Sequence, residues 1–167
     1  MNTTPVYDIC NMTACSLPEV VDIERQLQSH PWSHKSFQDG INAGYEAFIA
    51  MCNGSPVGYC MGMMAPDVAH VLVIGVHPQF QKKGIGRLLM TEFELRSLAH
   101  GLTTFMLEVR ESNIRARSFY NRLGYQTKAV RKNYYPLSQT QRENALVMFK
   151  SFHADSNHLQ SNVAKQQ

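Results

Sequence analysis

Most of what defines the familiar protein classes is missing from this 167-residue chain, and each absence is informative. No apolar run reaches the 18 residues that a membrane-spanning helix needs, and the start M-N-T-T-P has neither the charge nor the apolar stretch of a signal peptide. A soluble, cytoplasmic protein is expected, with no membrane partner. Charged residues make up only 17% and the net charge is +3, too mild for a dedicated nucleic-acid binder. The four cysteines, Cys10, Cys15, Cys52 and Cys60, form no C-x-x-C pair, so neither a disulfide framework nor a zinc site is expected. The seven histidines include no H-E-x-x-H, and no metal is assigned. Internal repeats are absent as well. The length suits one packed domain over residues 1–150, with a polar tail over 151–167 that lacks periodicity.

What is present centres on Val71 to Met90. The β-branched run Val71 to Val76 ends at His77-Pro78, where proline removes a ladder donor and restricts the residue before it. Lys82 and Lys83 follow, and then Gly84 and Gly86 open a segment whose apolar residues Ile85, Leu88, Leu89 and Phe93 recur at helical spacing. A strand, a glycine-rich turn and a helix are predicted. The first N–H groups of a helix have no partner inside it, glycine lets a ligand approach them, and the dipole favours an anion. Neither the P-loop pattern nor a complete G-x-G-x-x-G is present, so the phosphate ligand is not a simple nucleotide by motif.

The rest of the chain is predicted to alternate around this unit. Val6 to Cys10 reads as a strand, Ser16-x-x-Glu19 as a capping box opening a helix that His30-Pro31 ends, and Ser33 as the cap of a second short helix. Trp32 between them is either packing or a wall of a substrate cleft. Tyr45 to Cys52 and Val57 to Ala65, joined by Asn53-Gly54, form the clearest hairpin. Helix three runs to about Ala99, Thr103 to Val109 is a strand, and Ser112 or Asn113 caps a helix that Gly124 ends. Tyr125 to Val130 and Ala145 to Phe149 are the last strands, with Asn133-Tyr134-Tyr135-Pro136 starting the loop between them. The order β-α-α-β-β-β-α-β-α-β-β gives an α/β fold, a mixed sheet of about seven strands with helices on both faces.

The turn Gln81-x-x-Gly84-x-Gly86, followed by Arg87, resembles the acetyl-CoA signature of the GCN5-related N-acetyltransferases, and the element order is that family's too. The resemblance implies acetyl-CoA as acetyl donor. Ile74, Gly75 and Val76 would meet its pantetheine arm by main-chain atoms, and Lys82, Lys83, Gly84, Ile85, Gly86 and Arg87 its pyrophosphate. Pro31-Trp32-Ser33, Leu107-Glu108-Val109-Arg110-x-Ser112-Asn113, Ser118 to Tyr125 and Arg131-x-Asn133-Tyr134-Tyr135-Pro136 resemble the bacterial ribosomal-protein alanine N-acetyltransferases. That group implies transfer to the N-terminal alanine of small-subunit ribosomal protein eighteen, by a monomer or weak dimer with no direct need of nucleic acid. Gly75 departs from the group's usual alanine, Gln141-Arg142-Glu143-Asn144-Ala145 from its usual G-R-E-D-A, and the tail is longer.

A protonated amine cannot attack a thioester, and an α-amine with a pKa of about 8 needs only a mild base at cytosolic pH. Spacing alone favours an ion pair of Glu108 with Arg110 or Arg131, whereas the resemblance at Leu107-Glu108-Val109-Arg110 implies that Glu108 is the catalytic base. Tyr120 is the implied acid for the departing thiolate, although it lies in phase with Ala116 and Leu123 and suits core packing equally. Asn113 would hydrogen-bond the coenzyme about 10 Å from Tyr120 along one helix face. The N–H of Val76 would face the thioester oxygen, and Tyr134 and Tyr135 would clamp the peptide or simply pack in a hairpin. Two rival functions stay open: acetyl transfer to a small amine or a lysine, and a ribosome- or RNA-binding module built on Lys82, Lys83, Arg87, Arg131 and Lys132.

Overall fold

In the computed structural model, described over residues 6–152, seven strands form one sheet in the order β1-β2-β3-β4-β5-β7-β6. The strands are β1 (Asp8–Asn11), β2 (Glu46–Cys52), β3 (Ser55–Met64), β4 (Ala69–Val76), β5 (Thr104–Arg110), β6 (Gln126–Pro136) and β7 (Arg142–Ser151). The helices are α1 (Leu17–Leu27), α2 (His34–Asn42), α3 (Ile85–Ala99) and α4 (Ile114–Arg122). The predicted element order and mixed sheet are both found, since only β4 and β5 run parallel. Residues 1–5, and 153–167 of the expected tail, lie outside the described residues; Ser151, the first residue of that tail by composition, still belongs to β7.

Local chemistry sets the boundaries. Asn53 and Gly54 both take positive φ (49° and 82°), the type I′ turn that the β2–β3 hairpin requires. Ser33 caps α2 by accepting from Ser36 N–H at 3.1 Å, as expected. The expected capping box at Ser16 and Glu19 is not formed. Ser16 instead turns its hydroxyl back to Thr13, accepting from its N–H at 3.0 Å, and so closes the 3-10 turn that precedes α1. A second correction concerns Asn133 to Pro136, which belong to β6 rather than to a loop. Asn133 takes φ +51° within a register shift between Arg131 and Tyr135, and pairing with β7 then resumes at Tyr135 and Glu143. A bulge breaks the alternation in the same way that a strand's end does, and sequence alone does not separate the two.

Two apolar layers sandwich the sheet. Leu17, Val20, Val21 and Ile23 of α1 and Phe37 of α2 pack on Ile49, Tyr59, Met61 and Val73. On the other face Ile85, Leu89, Met90 and Phe93 of α3 and Tyr120 of α4 pack on Phe48, Cys60, Val71, Leu107 and Met148. Val71 and Val73 therefore face opposite layers from only two residues apart. A shift in register opposite Met61 and Gly62 makes this possible, because Leu72 is an extra residue in β4. Beyond it Ile74 and Val76 pack toward α3, while Gly75 faces Tyr59 and Leu27.

Candidate active site

The bulge in β4 coincides with the end of its pairing to β5. The parallel ladder joins only Ala69 to Val71 with Phe105 to Leu107, whereas β5 continues along β7 as far as Arg110. The two strands part there. On the β3 side, His77 N–H donates to Val57 O at 2.9 Å, and this fixes the phase of the ladder. Gly75 and His77 turn their backbone groups to β3, so Ile74 and Val76 turn theirs to the gap. Gln81 donates its side-chain amide to Val76 O at 3.1 Å, leaving the Val76 N–H facing the slot. Ile74 and Val76 thus offer main-chain groups to the gap, whereas Gly75, expected to do the same, has its backbone groups taken up by the pairing with Tyr59 on β3.

At the end of the gap α3 begins on Gly84, which takes φ +85° and has open space, with no atom within 4 Å, where a β-carbon would stand. Lys82 precedes it at φ +61°. This succession of left-handed residues turns the backbone so that the unpaired N–H groups of Ile85, Gly86 and Arg87 point out of the helix end. Ile85 contributes only that N–H, since its side chain is buried in the core. Lys83 lies over the Phe80 ring at 5.0 Å, and Arg87 is exposed. Both glycines, the two lysines and the arginine thus lie within the first turn of α3 and the loop before it, a helix end whose free N–H groups suit an anion. Asn113, one of the two expected caps, is the residue that caps α4: its side-chain oxygen accepts from Ala116 N–H at 3.0 Å, which leaves its amide N–H₂ for a ligand.

Glu108 points off β5 to the face opposite Leu107, as the alternation predicts, and its side chain is only 10% exposed. Arg131 Nε lies 2.9 Å from Glu108 Oε1, so the ion pair that spacing allows does exist; Arg110 pairs instead with Glu143 at 2.7 Å. The Arg131 contact lacks hydrogen-bond geometry, and Oε1 is a buried acceptor with no donor among the described residues.

Tyr135 stands close enough to this carboxylate that its hydroxyl is pushed up to about 12, by burial first and then by Glu108 and Tyr134. Arg110 covers the Tyr135 ring at 4.5 Å, and Tyr134 meets it edge-on at 5.0 Å. Tyr120, 8% exposed, comes up from α4. Burial, with Cys60 and Tyr135 adding to it, holds its hydroxyl well above the ordinary range, hence protonated. Tyr135 thus neighbours both Glu108 and Tyr120, which come from opposite faces of the sheet.

Two contributors have no signal in the sequence pattern. His70 sits beside Met106 in the β4–β5 register, which puts it on the face of Glu108; burial lowers its pKa, Glu108 opposes that and Arg131 adds to it. The β-branched run that marks this strand in the sequence starts only at Val71, whereas pairing starts at Ala69, so the run leaves His70 out. Arg142 brackets the tyrosines, donating Nε to Asn133 O at 2.7 Å and Nη2 to Tyr134 O. Concavities of about 320 Å³ beside Asn11, Tyr45 and Arg96, and about 290 Å³ beside Gly124 and Lys128, lie elsewhere on the sheet.

A parted β4–β5 pair ending on a glycine-capped helix is the architecture of an acetyl-CoA-dependent transferase, and the acetyltransferase (GNAT) family model matches residues 14–125. The chain belongs to that family and is an N-acetyltransferase. It is 32% identical over 140 residues to the [ribosomal protein bS18]-alanine N-acetyltransferase of Escherichia coli K12, covering 84% of this chain and 94% of that protein. It is 32% identical over 144 residues to the N-alpha-acetyltransferase RimI of Mycobacterium tuberculosis, 82% of this chain and 89% of that one. The crystal structure of the Escherichia coli ribosomal-protein-S18-alanine N-acetyltransferase superposes with a TM-score of 0.80 at 30% identity, over 90% of this chain and 98% of that one. Within the family this chain is thus of the RimI type. Among the described residues no helix is long and apolar enough to cross a membrane.

Proposed function

We propose that this chain transfers the acetyl group of acetyl-CoA to the α-amine of a protein N-terminus, and that its acceptor is the N-terminal alanine of ribosomal protein bS18. One observation carries the chemistry: Glu108 Oε1 is buried and without a hydrogen-bond donor, beside the point where β4 and β5 part. Such an acceptor suits an amine that must shed one proton before it attacks. The relatives' activity, over nearly their whole length, supports the identity of the acceptor.

Acetyl-CoA, when bound, supplies the activated acetyl thioester. The N–H groups at the start of α3, with Lys82, Lys83 and Arg87, would hold its phosphates, and the backbone groups of Ile74 and Val76 its arm. The Asn113 amide adds a donor, and the Val76 N–H faces the thioester oxygen. Glu108 takes the proton from the amine. Tyr120, kept protonated by burial, gives one to the sulfur. Tyr134 and Tyr135 flank the incoming peptide.

The test is free-thiol release from acetyl-CoA with two peptides. One copies the N-terminus of the host's own bS18; the other has the same sequence, N-terminally blocked and carrying a free lysine. Turnover with the first alone is the expected result. Turnover with the lysine peptide alone overturns the acceptor while leaving the coenzyme site, and salt-sensitive RNA binding without turnover overturns the reading as a whole.

A further inference from the structure

Glu24, on α1, is 1% exposed, and none of the ion pairs among the described residues includes it. Burying a carboxylate without a cation is costly unless hydrogen bonds replace its hydration. Two do so. Trp32 donates its backbone N–H to Glu24 Oε1 at 3.0 Å, and Tyr59 donates its hydroxyl to Oε2. The carboxylate therefore ties three separate elements together: α1, the link from α1 to α2, and β3.

The tie to Tyr59 leads to the coenzyme edge. Tyr59 is paired in register with Gly75 of β4. A β-carbon at position 75 would lie 2.3 Å from the Tyr59 hydroxyl oxygen and 2.6 Å from Leu27 of α1. Residue 75 is thus a glycine because the Tyr59–Glu24 pair occupies the space over it, which accounts for its departure from alanine. On the other side, the Trp32 ring packs 5.4 Å from Phe37, and Phe37 meets Tyr59 edge-on at 5.6 Å. Gly75, Tyr59, Glu24 and Trp32 form a continuous run of contacts from β4 to the link between α1 and α2. This is the face from which Glu108 and His70 project.

We propose that Glu24 is a positioning residue for the acceptor: it holds the Trp32 link at a fixed height over Gly75, so that the incoming amine meets the acetyl group in line with Glu108. This rests on the acetyl-transfer reading above. A device of this kind acts on acceptor binding and alignment, and it leaves the phosphate end of the coenzyme site, built on α3, untouched.

The experiment measures acceptor KM, kcat and, by calorimetry, acetyl-CoA affinity for wild type and three variants, using the bS18 peptide, the blocked lysine peptide and a small amine as acceptors. Glu24→Ala is expected to raise the KM of whichever acceptor the wild type uses about tenfold or more, as for a lost hydrogen bond to a charged group. Its acetyl-CoA affinity should stay within about twofold. Glu24→Gln keeps an oxygen for Trp32 and an amide for Tyr59, and is expected to restore KM to within about threefold. Should Glu24→Ala fail to fold, Tyr59→Phe removes one of the two ties alone and should shift acceptor KM in the same direction. Unchanged acceptor KM, an equal loss of coenzyme affinity, or no rescue by Glu24→Gln overturns the inference. Wild-type turnover with an acceptor other than the bS18 peptide overturns the acceptor reading but not the inference, and no turnover with any acceptor overturns both.

Discussion

Arg131 stands 2.9 Å from Glu108 Oε1 without hydrogen-bonding it. An ion pair kept for stability would be expected to use the hydrogen bond as well, and Arg131 is itself half-exposed, where such pairs contribute about 0–1 kcal/mol. Glu108→Gln should therefore cost little in stability, with Tm moving by about 4 °C at most. Turnover should fall by about 10²–10⁴, most severely at low pH where few amines are neutral. A pH–rate profile beside a melting curve checks both; a large Tm loss with activity retained would show that the carboxylate is structural.

Tyr120→Phe deletes one oxygen from a packed site and keeps the ring among Phe119, Tyr125 and Cys60. Since burial keeps the hydroxyl protonated throughout the assay range, its loss should lower kcat about 10²-fold at every pH rather than move a limb of the profile. Acetyl-CoA affinity should be unchanged. Rapid-mixing measurement of thiol release separates this from an effect on binding.

His70 gives the fold an acid-sensitive point. Its pKa lies below the ordinary 6.5, chiefly through burial, so at pH values between the two the unfolded chain binds more protons than the folded one. Stability must then rise with pH across that window and fall as pH drops through about 6.5. His70→Gln should flatten the change in denaturation midpoint between pH 7 and pH 5. An identical pH dependence in variant and wild type would remove His70 from the account.

Gly84 and Gly44 offer a matched pair. Both take positive φ, +85° and +76°, and neither has an atom within 4 Å of an added β-carbon. Alanine at either costs about 1–2 kcal/mol of backbone strain, lowering Tm by roughly 2–8 °C. Only Gly84→Ala should also weaken acetyl-CoA binding, because of the two only Gly84 opens the helix end proposed to hold the coenzyme phosphates. Calorimetric titration of both variants decides it.

Local patterns in the chain make much of this legible. Asn53-Gly54, the glycines that end α2, α3 and α4, and the alternation of β5 that sets Glu108 opposite Leu107 all depend on residues within a few positions of one another. What stays hidden depends on pairing between distant segments. The bulge at Leu72, which reverses the facing of β4, is specified by Met61 and Gly62 on the neighbouring strand. The tie between Glu24 and Tyr59 spans 35 residues, and neither partner signals the other in sequence. Gly75 is visibly unusual in the chain, but the reason lies in that tie.

The same limit hides Arg142, and it leads to a test of the acceptor side. Asn133 at φ +51° breaks the regular pairing of β6, leaving its carbonyl and that of Tyr134 turned off the ladder, where the Arg142 guanidinium takes both. Asn144 secures the other side, accepting from Asn133 N–H at 3.1 Å and donating to Glu111 at 2.9 Å. These contacts fix the backbone from which Tyr134 and Tyr135 project, and Arg110, held by Glu143, then caps the Tyr135 ring. Arg142→Ala frees two carbonyls at an exposed site, where water can replace the donor, so global stability should change by only about 1 kcal/mol. The tyrosines would lose their fixed spacing. Acceptor KM should rise about five- to tenfold with acetyl-CoA affinity unaltered, and Arg142→Lys, a point charge that cannot fork to both carbonyls, should recover little of it. Full recovery by lysine would mean that positive charge, and not the paired hydrogen bonds, sets the acceptor site.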